Sequence, residues 1–340
     1  MKNKFRVLCL LPLTLTAVLT LPETSPAQHR RATGTKTASA SATTETVSIQ
    51  AATKTRRLPS SRKPTVPSPQ SSESAPVVVR DGLTASSLGG ASLPFKVLLP
   101  ANYGRSARRY PVLYLLHGAY GNENDWTTRT NLVSYVEPYH LIVVMPGVGN
   151  SWYANSASDE RARYEDALMR DLIPHIDAKY RTLSSGYGRA VAGLSMGGFG
   201  AMKFALRYPQ QFAFAASFSG AFDAPRTNIV SSNANEEYAQ IMRRVFGSME
   251  SETRRQNDLF RLLGATDVRA RLPYLYVSTG SGDPLASVLP SNPRFADALR
   301  ERGVAYEYHE RPGLHDWRFW DEEIKLALER MSEIVRHMRR

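Results

Sequence analysis

From residue 77 to residue 310 the chain alternates short apolar runs with longer stretches in which apolar residues return every three or four positions. The runs VLYLLH at 112–117, LIVVM at 141–145, AVAGL at 190–194, AFAASF at 213–218 and YLYVST at 274–279 lack a regular polar alternation. That is the pattern of strands covered on both faces. Further strands are predicted at 77–80, 95–99 and 304–310, the first two antiparallel. The intervening 3.6-residue periodicity predicts helices over 164–180, 196–208, 292–302 and 321–338, with Pro209 stopping the second. Together these give an α/β architecture: a mostly parallel sheet of about eight strands with helices on both faces. Ligands of such sheets bind beyond the carboxyl ends of the strands. Residues 221–271 break the rhythm with two charged, helix-like pieces at 236–246 and 252–263, an insertion that either caps such a site or stays on the surface.

The N-terminal part has a different character. Residues 1–27 carry Lys2, Lys4 and Arg6, then an apolar run over 7–21, then Ser25-Pro26-Ala27 with small residues at both recognised positions. This is the pattern of a cleaved export signal, and the run is shorter than the about 20 residues of a membrane-spanning helix. Cys9 is the only cysteine and lies inside that segment, so no thiol nucleophile, disulfide or cysteine-bound metal is expected in the rest. Residues 28–75, rich in Ser, Thr, Ala and Pro, are predicted to be a disordered linker. Eight basic residues against Glu45 and Glu73 give it half of the formal charge of +12, so a nucleic-acid partner loses its main support. A solvated spacer is the expected role, with weak association to anionic envelope polymers as the alternative. Residues 76–340 suit a single α/β domain; no oligomeric state follows from them.

Candidate chemistry gathers at predicted strand ends. In AVAGLSMGGFG, Ser195 sits at the apex of a GxSxG turn between a strand and a helix, where Gly193, Gly197 and Gly198 remove the side chains that would obstruct the turn. The helix after it aims its positive end at the same spot. A serine hydroxyl is a weak nucleophile at neutral pH and needs a base, a group orienting that base, and amide donors for the tetrahedral oxygen. His315 in RPGLHDW, after the last strand, is the candidate base; His117, at the end of 112–117, is the competitor more suited to shaping its loop. Asp283 in STGSGDPL, after the strand at 274–279, is the candidate acid. Asp223 competes for that role, and Asp316 is adjacent to His315 but directed elsewhere. The order Ser195, Asp283, His315 is that of the α/β-hydrolase fold.

The segments YPVLYLLHGAYGNENDW, NSWYANS, YEDALMRDLIPHIDAKYR, GLSMGGFGAMKFAL and RPGLHDWRFW resemble an esterase family of that fold. It includes esterase D (S-formylglutathione hydrolase), bacterial tributyrin esterases, feruloyl esterases and the antigen 85 mycolyltransferases, and the chain is most similar to the tributyrin esterase type. The resemblance implies an oxyanion hole made by the backbone N–H groups of Ala119 and Met196. The sequence departs from the family pattern in the prolonged acid segment SGDPLASVLP, and in Ala154 and Asn155, where many relatives have an aspartate after WY. Aromatic residues near the motif loops, namely Tyr120, Trp126, Trp152, Tyr153, Phe222 and Trp317, are candidates for an acyl or aryl pocket, whereas Trp320 is assigned to core packing.

The expected activity is that of an exported serine carboxylic-ester hydrolase working through an acyl-enzyme, without metal or organic cofactor. Its substrate is expected to be a small-molecule or polysaccharide-linked ester. The alternatives are an acyltransferase that passes the acyl group to a sugar or polyol, and a noncatalytic wall-binding protein on a hydrolase scaffold.

Overall fold

A computed structural model describes residues 75–337 except 230–234, 268–270 and 286. The segments read as export signal and linker, residues 1–74, therefore lie outside the described residues. Eight strands form one sheet: β1 (Val77–Thr84), β2 (Ser92–Leu99), β3 (Val112–Leu116), β4 (Ile142–Pro146), β5 (Arg189–Leu194), β6 (Phe214–Phe218), β7 (Tyr274–Gly280) and β8 (Tyr306–Arg311). Their spatial order is β1-β2-β4-β3-β5-β6-β7-β8. β1 pairs with β2, and β2 with β4, in antiparallel fashion; every other pairing is parallel. The predicted α/β class and mostly parallel sheet are borne out.

Successive side chains of the central strands enter two separate cores. Val112, Tyr114 and Leu116 of β3 face one side with Ile142 and Val144 of β4. Leu113, Leu115, Val143 and Met145 face the other. This two-residue alternation, with apolar residues at both phases, is why the strands read as unbroken hydrophobic runs. Each Leu or Ile fully buried in this way contributes roughly 1.5–3 kcal/mol.

Ten α-helices are present among the described residues. The short α1 (Asp125–Arg129) and α2 (Leu132–Val136) follow β3. A helical run over 164–179 comprises α3 (Tyr164–Asp166), a π-helical segment Ala167–Leu172 and α4 (Ile173–Lys179). The wide turn directly precedes Pro174, whose missing N–H and ring disrupt a regular α register. α5 (Met196–Arg207) leaves β5 at the GxSxG turn, and eleven of its twelve residues are buried. The insertion holds α6 (Glu236–Phe246), α7 (Glu252–Asn257) and α8 (Leu259–Ala265). Where one helical piece was predicted at 252–263 there are two, because the Asp258 carboxylate accepts from the Phe260 and Arg261 N–H groups and starts a new helix. α9 (Ser291–Glu301) and α10 (Trp317–His337) complete the chain. The last helix begins four residues before the predicted 321, since Asp316 accepts from the Phe319 N–H at 3.0 Å and caps it there. Ile324, Ala327, Leu328, Met331 and Val335 of α10 cover one face of the sheet, while α5 packs on the other.

Candidate active site

Ser195 occupies a backbone conformation that side chains rarely adopt, with φ 52° and ψ −115°. Its N–H donates to the Phe218 carbonyl at 2.9 Å, which ties the turn to β6. The glycines around it are required by close approach: a Cβ on Gly193 would lie 2.5 Å from the Gly197 carbonyl carbon, and one on Gly197 would lie 2.5 Å from the Leu116 oxygen. Such strain survives only where neighbouring packing imposes it, and here it lifts the hydroxyl out of the sheet.

His315 reaches the same point from the loop after β8. Its Nε2 lies 2.9 Å from Ser195 Oγ, and its Nδ1 lies 2.8 Å from Asp283 Oδ2. The carboxylate only accepts, so Nδ1 carries the hydrogen and Nε2 is left to accept from the serine hydroxyl. The Asp283 side chain is fully buried, and its second oxygen accepts from the Leu285 N–H at 3.0 Å. The loops after β7 and β8 come together through the Gly282 N–H, which donates to the Gly313 carbonyl at 3.0 Å, and through Gly280, where a Cβ would meet that same oxygen at 2.5 Å.

The competing residues are occupied elsewhere. Asp223 forms an ion pair with Arg294 of α9, and Asp316 caps α10. His117 is buried, and its Nε2 accepts from the Val148 N–H. Of the other histidines, His140 ends a short turn with φ 48°, and His309 bonds Glu307 within β8.

Ser195 and His315 open onto a cleft of about 690 Å³. No described acceptor engages the N–H of Ala119, which lines this cleft, or that of Met196 at the first position of α5. Tyr120, Trp152 and Trp317 line the cleft. Three other aromatic residues assigned to the pocket do not. Trp126 is buried beneath it, its indole N–H donating to the Leu116 carbonyl at 3.1 Å. Tyr153 is buried, with its hydroxyl on the His117 carbonyl. Phe222 packs on Phe295, their ring centroids 4.9 Å apart. In each case the side chain fills the base of its loop, which leaves the cleft surface to neighbours. Trp320 is buried in the core as assigned, and it also borders the cleft, standing edge-on to His315 with centroids 5.0 Å apart.

The rest of the lining was not anticipated from the sequence. Leu194, Ala221, Ala224, Ile229, Tyr238 and Leu285 line the cleft, so the insertion does reach it. The available signal was α6 itself, where Tyr238, Ile241, Met242 and Val245 lie on one helical face.

Comparison with known proteins gives a concordant result. The family model described as "Putative esterase" matches residues 86–331. An esterase of Mycobacterium tuberculosis is 35% identical over 244 residues, covering 65% of this chain and 52% of the relative. The chain thus spans about half the length of that curated relative. An acetyl esterase of Caldicellulosiruptor saccharolyticus is 28% identical over 65% of this chain and 83% of its own. Among solved structures, the Staphylococcus aureus fluorophosphonate-binding serine hydrolase F superposes with a TM-score of 0.67 at 25% identity, covering 76% of this chain and 99% of that one. The family match spans seven of the eight strands, β2 to β8, and most of α10, and on that extent the chain belongs to this esterase family of the α/β-hydrolase fold.

Proposed function

We propose that the protein is an exported serine carboxylic-ester hydrolase that acts through an acyl-enzyme, with Ser195 as nucleophile, His315 as base and Asp283 as the acid that orients it. The observation that carries this reading is the unbroken contact from Asp283 Oδ2 through the His315 ring to Ser195 Oγ, at 2.8 and 2.9 Å, opening into a cleft. In the first half-reaction Ser195 Oγ attacks the ester carbonyl carbon and its proton passes to His315 Nε2. Buried Asp283 stabilises the imidazolium. Charge develops on the former carbonyl oxygen, where the Ala119 and Met196 N–H groups donate; each such donor contributes roughly 2.7–4 kcal/mol in comparable sites. The tetrahedral species collapses, the C–O bond to the alcohol breaks, and the alcohol leaves with the proton from His315. Water then attacks the Ser195 ester by the same route in reverse, releasing the acid.

The apolar wall of Trp152, Ile229, Tyr238 and Leu285 supports an acyl group as its occupant. The acetyl esterase relative supports a short one, and the export signal read in residues 1–27 supports a substrate outside the cytoplasm. Product analysis with nitrophenyl esters of increasing chain length, with and without added sugar acceptors, tests the reading. Free acid should form at the same yield in both cases. Diversion of most of the acyl group to the sugar would replace hydrolysis by transfer, and no turnover of any ester would remove the enzymatic reading.

The acid assignment has its own test. Asp283→Asn should lower kcat by about 10⁴-fold, because the amide favours the wrong imidazole tautomer. Asp223→Asn, whose carboxylate pairs with Arg294 and not with His315, should leave kcat within about threefold, since such an exposed pair is worth only about 0–1 kcal/mol. Steady-state kinetics of the two variants decides; a larger loss at Asp223 would reassign the acid.

A further inference from the structure

We propose that His117 and Tyr153 are positioning residues that fix the direction of the Ala119 N–H by holding the carbonyls of the two peptide units before it. The proposal rests on the esterase reading, in which that N–H binds the oxyanion. A peptide unit is planar and its C=O and N–H point in opposite directions. The Gly118 carbonyl and the Ala119 N–H belong to one such plane, so whatever fixes the carbonyl aims the N–H.

The Gly118 oxygen lies 2.7 Å from His117 Nδ1 and also accepts from the Gly121 N–H at 3.2 Å. The other ring nitrogen, Nε2, accepts from the Val148 N–H at 3.1 Å. That amide only donates, so the hydrogen of the imidazole is on Nδ1, directed at the Gly118 oxygen. Burial pushes the His117 pKa down, which keeps the ring neutral and Nε2 able to accept. The preceding plane is held in the same way, since the Tyr153 hydroxyl donates to the His117 carbonyl at 2.8 Å.

Both side chains are almost fully buried, and neither lines the cleft beside Ser195. Tyr153 is anchored in turn, its own carbonyl accepting from the buried Lys203 ammonium. A restraint is needed at this point because Gly118 has the widest backbone freedom of any residue. A Cβ on Gly118 would lie 2.6 Å from Leu194 Cδ1, so a larger residue would have to displace that side chain. Rigidity at this glycine comes from two carbonyl-directed donors.

Two substitutions separate the functions of the ring. His117→Gln offers a carboxamide oxygen to the Val148 N–H but removes the donor to Gly118. His117→Asn keeps a donor near the Nδ1 position and gives up the Val148 bond. The expected result is a kcat for His117→Gln lowered about 10- to 100-fold, part of the loss seen when an oxyanion donor is deleted. KM should stay within about twofold, because only transition-state binding is affected. The rate of phosphonylation by a fluorophosphonate should fall in step with kcat, and His117→Asn should be at least about tenfold faster than His117→Gln. Ester binding to Ser195→Ala and to Ser195→Ala/His117→Gln should be equal. If His117→Gln does not fold, Tyr153→Phe carries the same test, with kcat reduced several-fold at constant KM.

Wild-type kcat in His117→Gln, or in Tyr153→Phe where that variant carries the test, would overturn the proposal. So would His117→Asn as slow as His117→Gln. A wild-type protein that neither turns over esters nor labels at Ser195 would instead defeat the esterase reading, and this proposal with it.

Discussion

Ser195→Ala will hydrolyse nitrophenyl esters at least about 10⁴-fold more slowly than the wild type, with its melting temperature unchanged within a few degrees. The substitution removes one oxygen, whose described contact is with His315 Nε2. The backbone bonds that hold the turn, from the Ser195 N–H to Phe218 and from the Phe199 N–H to the Ser195 carbonyl, stay in place. His315→Ala should reach the same activity at greater cost to the fold, because it leaves the buried Asp283 carboxylate with one backbone donor. The double variant should be no slower than either single one, since residues acting as a unit are lost together. Additive losses would mean that the two side chains act separately.

Glu165→Ala will destabilise the fold by about 3–5 kcal/mol, the usual cost of stranding a buried charge. Glu165 lies on α3 and is buried against three groups of α5 and its end: the fully buried Lys203 ammonium at 2.9 Å, the Arg207 guanidinium and the Tyr208 hydroxyl at 2.7 Å. Without the carboxylate, Lys203 keeps only the Tyr153 carbonyl as an acceptor among these groups. At about 2–4 °C per kcal/mol for a domain of this size, the melting temperature should fall by about 10 °C. Lys203→Met should cost less, because Glu165 keeps Arg207 and Tyr208. Replacing both buried members, as Glu165→Leu/Lys203→Met, should recover part of the loss.

The pH dependence follows with a definite sign. Burial raises the Glu165 pKa, but Lys203, Arg207 and the Tyr208 hydroxyl outweigh it and hold the carboxyl at about 2, below its ordinary 4.5. A depressed carboxyl contributes stability that is fully present above its unfolded pKa and is lost as pH falls through the folded one. The gap in melting temperature between wild type and Glu165→Ala should therefore be widest between pH 4.5 and about 8, to which burial pushes the Lys203 ammonium down, and narrow steadily toward pH 2. Thermal melts across that range check it; a gap independent of pH would show that the ionised carboxylate is not what stabilises the contact.

The sheet was legible because its central strands are apolar at both phases, as in Val112 to Leu116, and such runs have few other uses. Helix boundaries were less so. The break in 252–263 and the early start of α10 depend on single capping carboxylates, Asp258 and Asp316, which look like any surface aspartate in the sequence.

At the site, the Ser195 turn could be read from the GxSxG pattern itself, although of its closest glycine contacts only Gly193 against Gly197 is local, and Gly197 is required by Leu116 on the neighbouring strand. The acid could not be chosen on the same ground. Asp283 and Asp223 both follow strands, and what separates them is tertiary: Arg294, on α9, takes Asp223, while the glycine-rich loops around Gly280 and Gly313 bring Asp283 under His315. Proximity to a motif did not reveal which side of a loop a ring would take. Trp126 turned inward because Leu116 offers its indole a carbonyl, and Tyr153 because His117 does the same. The cleft wall supplied by Tyr238 comes from α6, more than forty residues along the chain from Ser195.

The catalytic role of Ser195 is tested by the mass and position of the adduct formed by a fluorophosphonate on a preparation that hydrolyses esters. One adduct per chain should form on the peptide containing Ser195, absent from Ser195→Ala and formed far more slowly by His315→Ala. An adduct on any other residue, or full ester hydrolysis by a chain that carries none, would contradict it.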